Sequence, residues 1–308
     1  MNESGKKNLP ASVHQLLLNE AKKTGKTFNE LFQYFTMERF LYRLSKSPFQ
    51  DGFILKGALM LYVWKMAVSR STLDIDLLGR SPADIDSIVS VIKKICRKKV
   101  EPDGITFDSE SISGVAIKEN MRYPGVRVSF EGSLGNARVN MQIDIGFGDI
   151  VVPKPAKVKY PAILSFPEPI IHVYSPETVV SEKFEAMVKL GRFNSRIKDF
   201  YDIWLLSQNL EFSGTRLGKA ISKTFSNRKT LLPEDLKQFL DEITKGPIKE
   251  SQWQGFVKKY RRDEVSTSFP EVVKALTLFL GPISQALSSG STFKGSWSAG
   301  GPWFPLNE

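Results

Sequence analysis

Cysteine and histidine are nearly absent from this chain. Among 308 residues there is one cysteine, Cys96, and there are two histidines, His14 and His172. A single thiol excludes a disulfide framework and any multi-cysteine metal site. Two histidines far apart in sequence argue against a histidine-rich zinc or iron centre. Any metal is therefore expected on carboxylates, which favours magnesium, manganese or calcium. Long apolar runs are missing too: none approaches the roughly 20 residues of a membrane helix. The polar stretch Met1 to Asn8 is not followed by the apolar core of a signal peptide, so the chain reads as cytoplasmic, with no membrane partner. Negative charge is in the minority, with 33 acidic against 43 basic side chains and a net charge of +10. That excess suits a polyanionic partner. What remains is an ordinary globular balance, 41% hydrophobic and 25% charged, which excludes global disorder. The length fits one large domain or two ordinary ones.

Hydrophobic periodicity predicts a helix over 11–24, with Val13, Leu16, Leu17 and Ala21 on one face and Gly25 as its stop. A second helix opens at a Thr27/Glu30 capping box and runs to about Ser45, with Phe28, Leu31, Phe32 and Phe35 on its apolar face. Phe53-Ile54-Leu55 is a short apolar run ending at Lys56-Gly57, and 58–64 reads as a buried helix. Alternation over 71–78 predicts a strand. Ser81-Pro82 is expected to start a helix whose core face is Ile85, Ile88, Val89, Ile92 and Ile95. Val126, Val128 and Phe130, then Val139, Met141, Ile143 and Ile145, alternate around a turn-like 132–136, which is a hairpin signal. Six prolines from Pro153 to Pro176 suggest a crossing between domains. Beyond it Ser175-Pro176 supplies an N-cap and first-turn proline for a helix ending near Gly191. Another helix is expected from about Ser195 to Gln208. The glycine- and serine-rich end reads as a flexible tail. The organisation expected is therefore N-terminal helices over 1–48, a sheet domain over 49–174, a helical lobe over 175–285 and a tail over 286–308.

The strongest chemical signal is the Asp74-Ile75-Asp76 triplet. On a strand both aspartates face one way, about 6–7 Å apart, while Ile75 and Leu77 face a core. Paired carboxylates repel, and a divalent cation removes the conflict. The plain alternative is a solvated edge strand. Asp144 lies in a second alternating stretch, and a neighbouring strand would bring it to the same place; alternatively it caps the turn before Gly146. Three such carboxylates would hold one or two magnesium ions for in-line phosphoryl transfer. Lys56-Gly57-Ala58, between a strand and a helix, would let backbone amides approach a phosphate; otherwise it is a tight turn. Lys183 interrupts an apolar helical stripe and either snorkels to solvent or faces a charged cleft. With no evident partner in sequence, its replacement by alanine is expected to cost nucleotide binding rather than stability. Lys198, Asp199 and Asp202 form a surface ion-pair pattern at helical spacing, or a polar wall for the cleft. Lys93, Lys94, Arg97, Lys98 and Lys99 would make two basic helical rows. These are either a solvated face or a phosphate-backbone contact for RNA. Lys258, Lys259, Arg261 and Arg262 are a weaker basic candidate.

The segments FILKGALMLYVW at 53–64, RSTLDIDLLG at 70–79, VNMQIDIGFGD at 139–149, PETVVSEKFEAMVKLG at 176–191 and NSRIKDFYDIW at 194–204 resemble the AbiEii family. These are nucleotidyltransferase-fold toxins of abortive-infection and toxin–antitoxin systems. The likeness runs from about Leu9 to Pro282. It implies an α/β (α+β) architecture, a mixed nucleotidyltransferase sheet with a helical C-terminal lobe. It implies magnesium-dependent, or manganese-dependent, transfer of a nucleoside monophosphate from a nucleoside triphosphate to RNA, tRNA in characterised members, with arrested translation and growth. It also implies a separately encoded antitoxin. Residue by residue, Asp74 and Asp76 match the metal-binding pair, and Asp144 the third carboxylate. Lys183 matches the lysine near the triphosphate, and Lys198, Asp199 and Asp202 the late polar motif. Lys56, Gly57, Ala58, Arg70 and Thr72 are carried as nucleotide contacts. The chain departs from the wider superfamily in having Gly57-Ala58 where Gly-Gly or Gly-Ser is preferred, so a serine hydroxyl contact to phosphate is unavailable. The competing readings are a nucleotidyltransferase acting on a protein hydroxyl or small molecule, and a non-catalytic nucleotide- or RNA-binding module.

Overall fold

The computed structural model describes residues 8–66, 72–81, 84–117, 125–245, 247–259 and 267–305. The chain divides into two compact units, Met1–Gly148 with Ala156–Val173, and Asp149–Pro155 with Tyr174–Glu308. The proline-rich stretch is thus where the chain passes between units.

In the first unit, α1 spans Leu9–Thr24 and α2 spans Phe28–Ser45. Asn8 caps α1 and Gly25 ends it in the left-handed conformation, while the Thr27 side chain accepts from the Glu30 amide at 3.1 Å to cap α2. Strand β1 (Phe53–Lys56) leads through a 3-10 turn at Gly57–Leu59 into the single-turn helix α3 (Met60–Val63). Strand β2 is Asp74–Gly79, and α4 is Ile85–Cys96, begun by the Asp84 cap rather than by Ser81. Then come β3 (Ile105–Phe107), β4 (Ser113–Ile117), β5 (Gly125–Leu134), β6 (Ala137–Phe147), β7 (Ala156–Lys159) and β8 (Ile170–Val173). These strands form one mixed sheet in the order β3-β5-β6-β2-β1-β8-β7, with β4 also on β5. The hairpin turn is only Gly135-Asn136, because β5 continues to Leu134. Gly132 is a packing glycine rather than a turn residue: a Cβ there would lie 2.8 Å from the Thr36 methyl.

One sheet face packs on α2, which is buried around its whole circumference from Leu31 to Ser45. The sequence suggested a single apolar face. The other face is tolerated because its polar groups are paired. Arg43 makes a bidentate bond to Asp103 at 2.7 and 3.0 Å. Glu38 pairs with Arg39 and accepts from the Ile163 amide at 2.7 Å, and Arg39 donates to the Pro167 carbonyl at 2.8 Å. The opposite sheet face carries polar residues from β5, β6 and β2, and it is this face that bears the candidate site.

In the second unit, α5 (Pro176–Leu190) begins at the Ser175 cap and ends at Gly191 as expected, and α6 is Ile197–Asn209. There follow β9 (Phe212–Ser213), α7 (Gly214–Arg228), α8 (Leu236–Thr244), α9 (Pro247–Lys259) and α10 (Phe269–Ser288). The C-terminal stretch corrects the expectation of a flexible tail. Strands β10 (Gly295–Trp297) and β11 (Trp303–Pro305) pair with each other, and β10 pairs with β9. Trp297 is buried and donates its indole N–H to the Ser207 carbonyl at 2.7 Å, and Trp303 donates to Phe279 at 2.9 Å. The two tryptophans outweigh the glycine and serine around them, because each packs a large ring and satisfies its one donor.

Candidate active site

Strand β2 is central because Ile75 and Leu77 are fully buried. The alternation of a strand then forces Asp74 and Asp76 onto the opposite, half-open face. Parallel pairing of β2 with β6 sets Asp76 directly across from Asp144. One carboxylate oxygen from each of Asp74, Asp76 and Asp144 lies within 4.8 Å of the others. Three hard oxygen donors converging at that spacing fit a hard divalent cation of the magnesium or manganese kind.

Neighbouring strands complete the face. Antiparallel β1 places Lys56 opposite Asp76. The Lys56 ammonium extends across to Gly146, where a Cβ would sit 3.6 Å from it. Gly57 has φ +74°, and a Cβ there would fall 2.0 Å from Asp76 Oδ2; only glycine lets the backbone press this closely on the carboxylate. Ala58 is buried, so its contribution to the face is limited to backbone. Thr72 donates its hydroxyl to Asp74 Oδ1, and its amide donates to the Tyr34 hydroxyl at 2.9 Å. Arg70 lies outside the described residues. Beside Thr72 and Leu73, an open cleft of about 1030 Å³ runs along Ser129, Asn140 and Gln142 of the sheet.

Arg127 was missed in the sequence. It stands opposite Asp144 on β5. Its Nε donates to Asp144 Oδ1 at 2.8 Å and its Nη2 to Oδ2 at 2.7 Å. The bond to Asp144, and behind it the charges of Asp74 and Asp76, hold the guanidinium above its ordinary pKa. A signal was available: Arg127 alternates between Val126 and Val128. A two-residue turn pairing 134 with 137 necessarily pairs 127 with 144.

In the second unit, Lys183 does not snorkel to solvent. Its ammonium lies 2.8 Å from Asp199 Oδ1 and 2.8 Å from Asp202 Oδ2. Both aspartates are buried, and Arg196 Nε approaches Asp199 Oδ2 at 2.9 Å. This corrects two expectations. Lys183 has carboxylate partners, and Asp202 is buried and turned inward to it rather than lying on the surface. Two buried negative charges here meet two positive ones, which is what their burial requires.

The basic run does not form two helical rows. Helix α4 ends at Cys96, so only Lys93 and Lys94 lie on it. Arg97 is engaged by Glu110 at 2.6 Å and Ser109 at 3.0 Å, while Lys94, Lys98 and Lys99 are exposed. Arg261 and Arg262 lie outside the described residues.

A mixed sheet with three converging carboxylates on its second and sixth strands is the frame of a nucleotidyltransferase. The chain belongs to the family described as nucleotidyl transferase AbiEii toxin of type IV toxin–antitoxin systems, whose model matches residues 39–275. Its fold is similar to JHP933 from Helicobacter pylori, with 14% identity, 85% of this chain and 94% of that one covered, and a TM-score of 0.50. It is equally similar to a candidate nucleotidyltransferase from H. pylori, with 14% identity, coverages of 86% and 98%, and a TM-score of 0.50. No curated protein matches the chain. No helix among the described residues is long and apolar enough to cross a membrane.

Proposed function

We propose that this toxin-family protein transfers a nucleoside monophosphate from a nucleoside triphosphate to an RNA acceptor, tRNA above all. The observation that carries the reading is the convergence of Asp74, Asp76 and Asp144 beside Lys56 and Gly57. An acceptor hydroxyl oxygen bonds to the α-phosphorus, the bond to the bridging α–β oxygen breaks, and pyrophosphate leaves. A divalent cation, magnesium or manganese, supplies neutralisation of the phosphate charge when bound to the three carboxylates. Asp74 and Asp76 orient it from one strand. Asp144 is the carboxylate suited to receive the acceptor's proton once its arginine partner moves away. Lys56 and the Gly57 and Ala58 backbone approach the phosphates, with Thr72 steadying Asp74. Lys183, with Asp199, Asp202 and Lys198, is assigned to nucleotide binding on the strength of the family resemblance.

The net charge of +10 favours an RNA acceptor over a cationic small molecule, because phosphate contacts dominate RNA affinity. Membership of a type IV toxin–antitoxin family supports a separately encoded antitoxin and a cytoplasmic setting, with translation and growth as the process blocked. The test incubates the purified protein with each labelled nucleoside triphosphate and total RNA or protein extract. Label entering tRNA, and lost in Asp76→Ala, is the expected result. Label in protein or in a small molecule moves the acceptor assignment. Undiminished transfer by Asp76→Ala overturns the site.

A further inference from the structure

The carboxylate cluster already holds a cation of its own. Both oxygens of Asp144 accept from Arg127, at 2.8 and 2.7 Å. The arginine side chain is nevertheless 40% exposed, against 17% for Asp144. On the other flank of β5, the residue paired with Arg127 is Val115, itself 55% exposed and uncharged. Among the described residues Asp144 is the acid that anchors this guanidinium, and nothing packs it into a core. A bidentate fork of this kind fits a carboxylate and a phosphate equally well.

Three carboxylates within 4.8 Å repel unless a cation sits among them. A divalent cation ligated by Asp144 and a guanidinium occupying both Asp144 oxygens compete for the same atoms. What the guanidinium would meet on release is the anionic ligand that arrives with the metal.

We propose that Arg127 is a resident counter-cation of the cluster, held on Asp144, and that it exchanges Asp144 for a phosphate of the nucleotide when a divalent cation takes the carboxylates. The proposal rests on the nucleotidyltransferase reading and adds to it a residue with two successive partners. It predicts opposite effects on two ligands. Removing Arg127 takes away a competitor of the metal and a partner of the nucleotide. Lysine keeps the charge but lacks the two-pronged fork.

The test measures Mn²⁺ binding by electron paramagnetic resonance, without nucleotide, for the wild type, Arg127→Gln and Arg127→Lys. It then measures binding of the four α,β-methylene nucleoside triphosphates in saturating Mn²⁺. Thermal unfolding checks that each variant is folded. Both variants are expected to bind Mn²⁺ several-fold more tightly than the wild type, glutamine more so than lysine. Nucleotide binding is expected to weaken about tenfold in Arg127→Gln and less in Arg127→Lys, in line with loss of one charge-assisted contact. If Arg127→Lys matches the wild type for Mn²⁺, Arg127 is a fixed charge and no exchange occurs. If both ligands weaken together in both variants, it is a structural brace. Either result overturns the proposal while leaving the enzyme assignment standing. A wild type that binds neither Mn²⁺ nor any nucleotide overturns both.

Discussion

Replacing Gly57 by alanine tests whether the approach of backbone to Asp76 matters to function. Two separate costs arise at this position. The first is conformational: at φ +74° a non-glycine residue in the left-handed region loses about 1–2 kcal/mol. The second is steric. The new methyl would lie 2.0 Å from Asp76 Oδ2 and 2.7 Å from its Cβ. Ordinary contact needs more than 3 Å, so the carboxylate or the turn must shift by roughly 1 Å or more. A misplacement of that size at reacting groups is worth about 10²-fold in rate.

Gly57→Ala is therefore expected to unfold a few degrees below the wild type, to bind Mn²⁺ more weakly and to lose about 10²-fold in nucleotide transfer. Gly146→Ala is the control on the same face. Its methyl would meet Lys56 Nζ at 3.6 Å, an ordinary contact with the end of a flexible side chain, so both folding and metal binding should stay close to wild type. The assay is initial rate of label transfer beside a thermal melt of each variant. A Gly57→Ala protein with a wild-type rate and wild-type Mn²⁺ affinity would refute the reasoning, since it would mean Asp76 can move without consequence.

Lys183→Ala removes the lysine from two buried aspartates and is expected to destabilise the protein by about 3–5 kcal/mol. An unchanged melting temperature would show that the three charges do not depend on one another. Glu38 is buried, and desolvation raises its pKa from 4.5 to about 7 despite Arg39 beside it. Between those values the folded state holds the proton that the unfolded state has released. Stability should fall as pH rises from about 4.5 to 7, by up to about 3 kcal/mol, and level off above. Denaturant titrations of the wild type and Glu38→Gln across that range check this, and parallel curves would contradict it. Reversing the exposed Lys94 and Lys98 to glutamate should raise the KM for tRNA and reduce the salt slope by about one unit or less for each lost phosphate contact. Unchanged salt dependence would mark the run as a solvated surface.

The elements that were legible in the sequence are those whose signal is local. The Ser175-Pro176 cap, the stop at Gly25 and the alternation around Ile75 and Leu77 each depend on a few adjacent residues, and each lies where it was expected. What was not legible depended on partners far away in the chain. Helix α2 looked amphipathic because Glu38, Arg39 and Arg43 are charged. Their partners, Ile163, Pro167 and Asp103, lie at least 60 residues away, and only those partners make burial of the whole helix possible. Lys183 looked unpaired for the same reason: Asp199 and Asp202 belong to the next helix.

Asp144 and Arg127 sharpen the point. Both are visible as polar residues in alternating strands, but the sequence is turn-like over the whole of 132–136. A turn of that length leaves the register open, and a register error of one residue moves a side chain to the other face. Gly132 is what blurs the turn. It suggested a turn, whereas its lack of a Cβ is used against Thr36 of α2. Once β5 is allowed to run to Leu134, the two-residue turn fixes every pair, and Arg127 must stand opposite Asp144. The carboxylates announce themselves in the sequence because their chemistry is rare on strands. The cation that balances them does not, because an arginine on a strand is unremarkable until the register says what it faces.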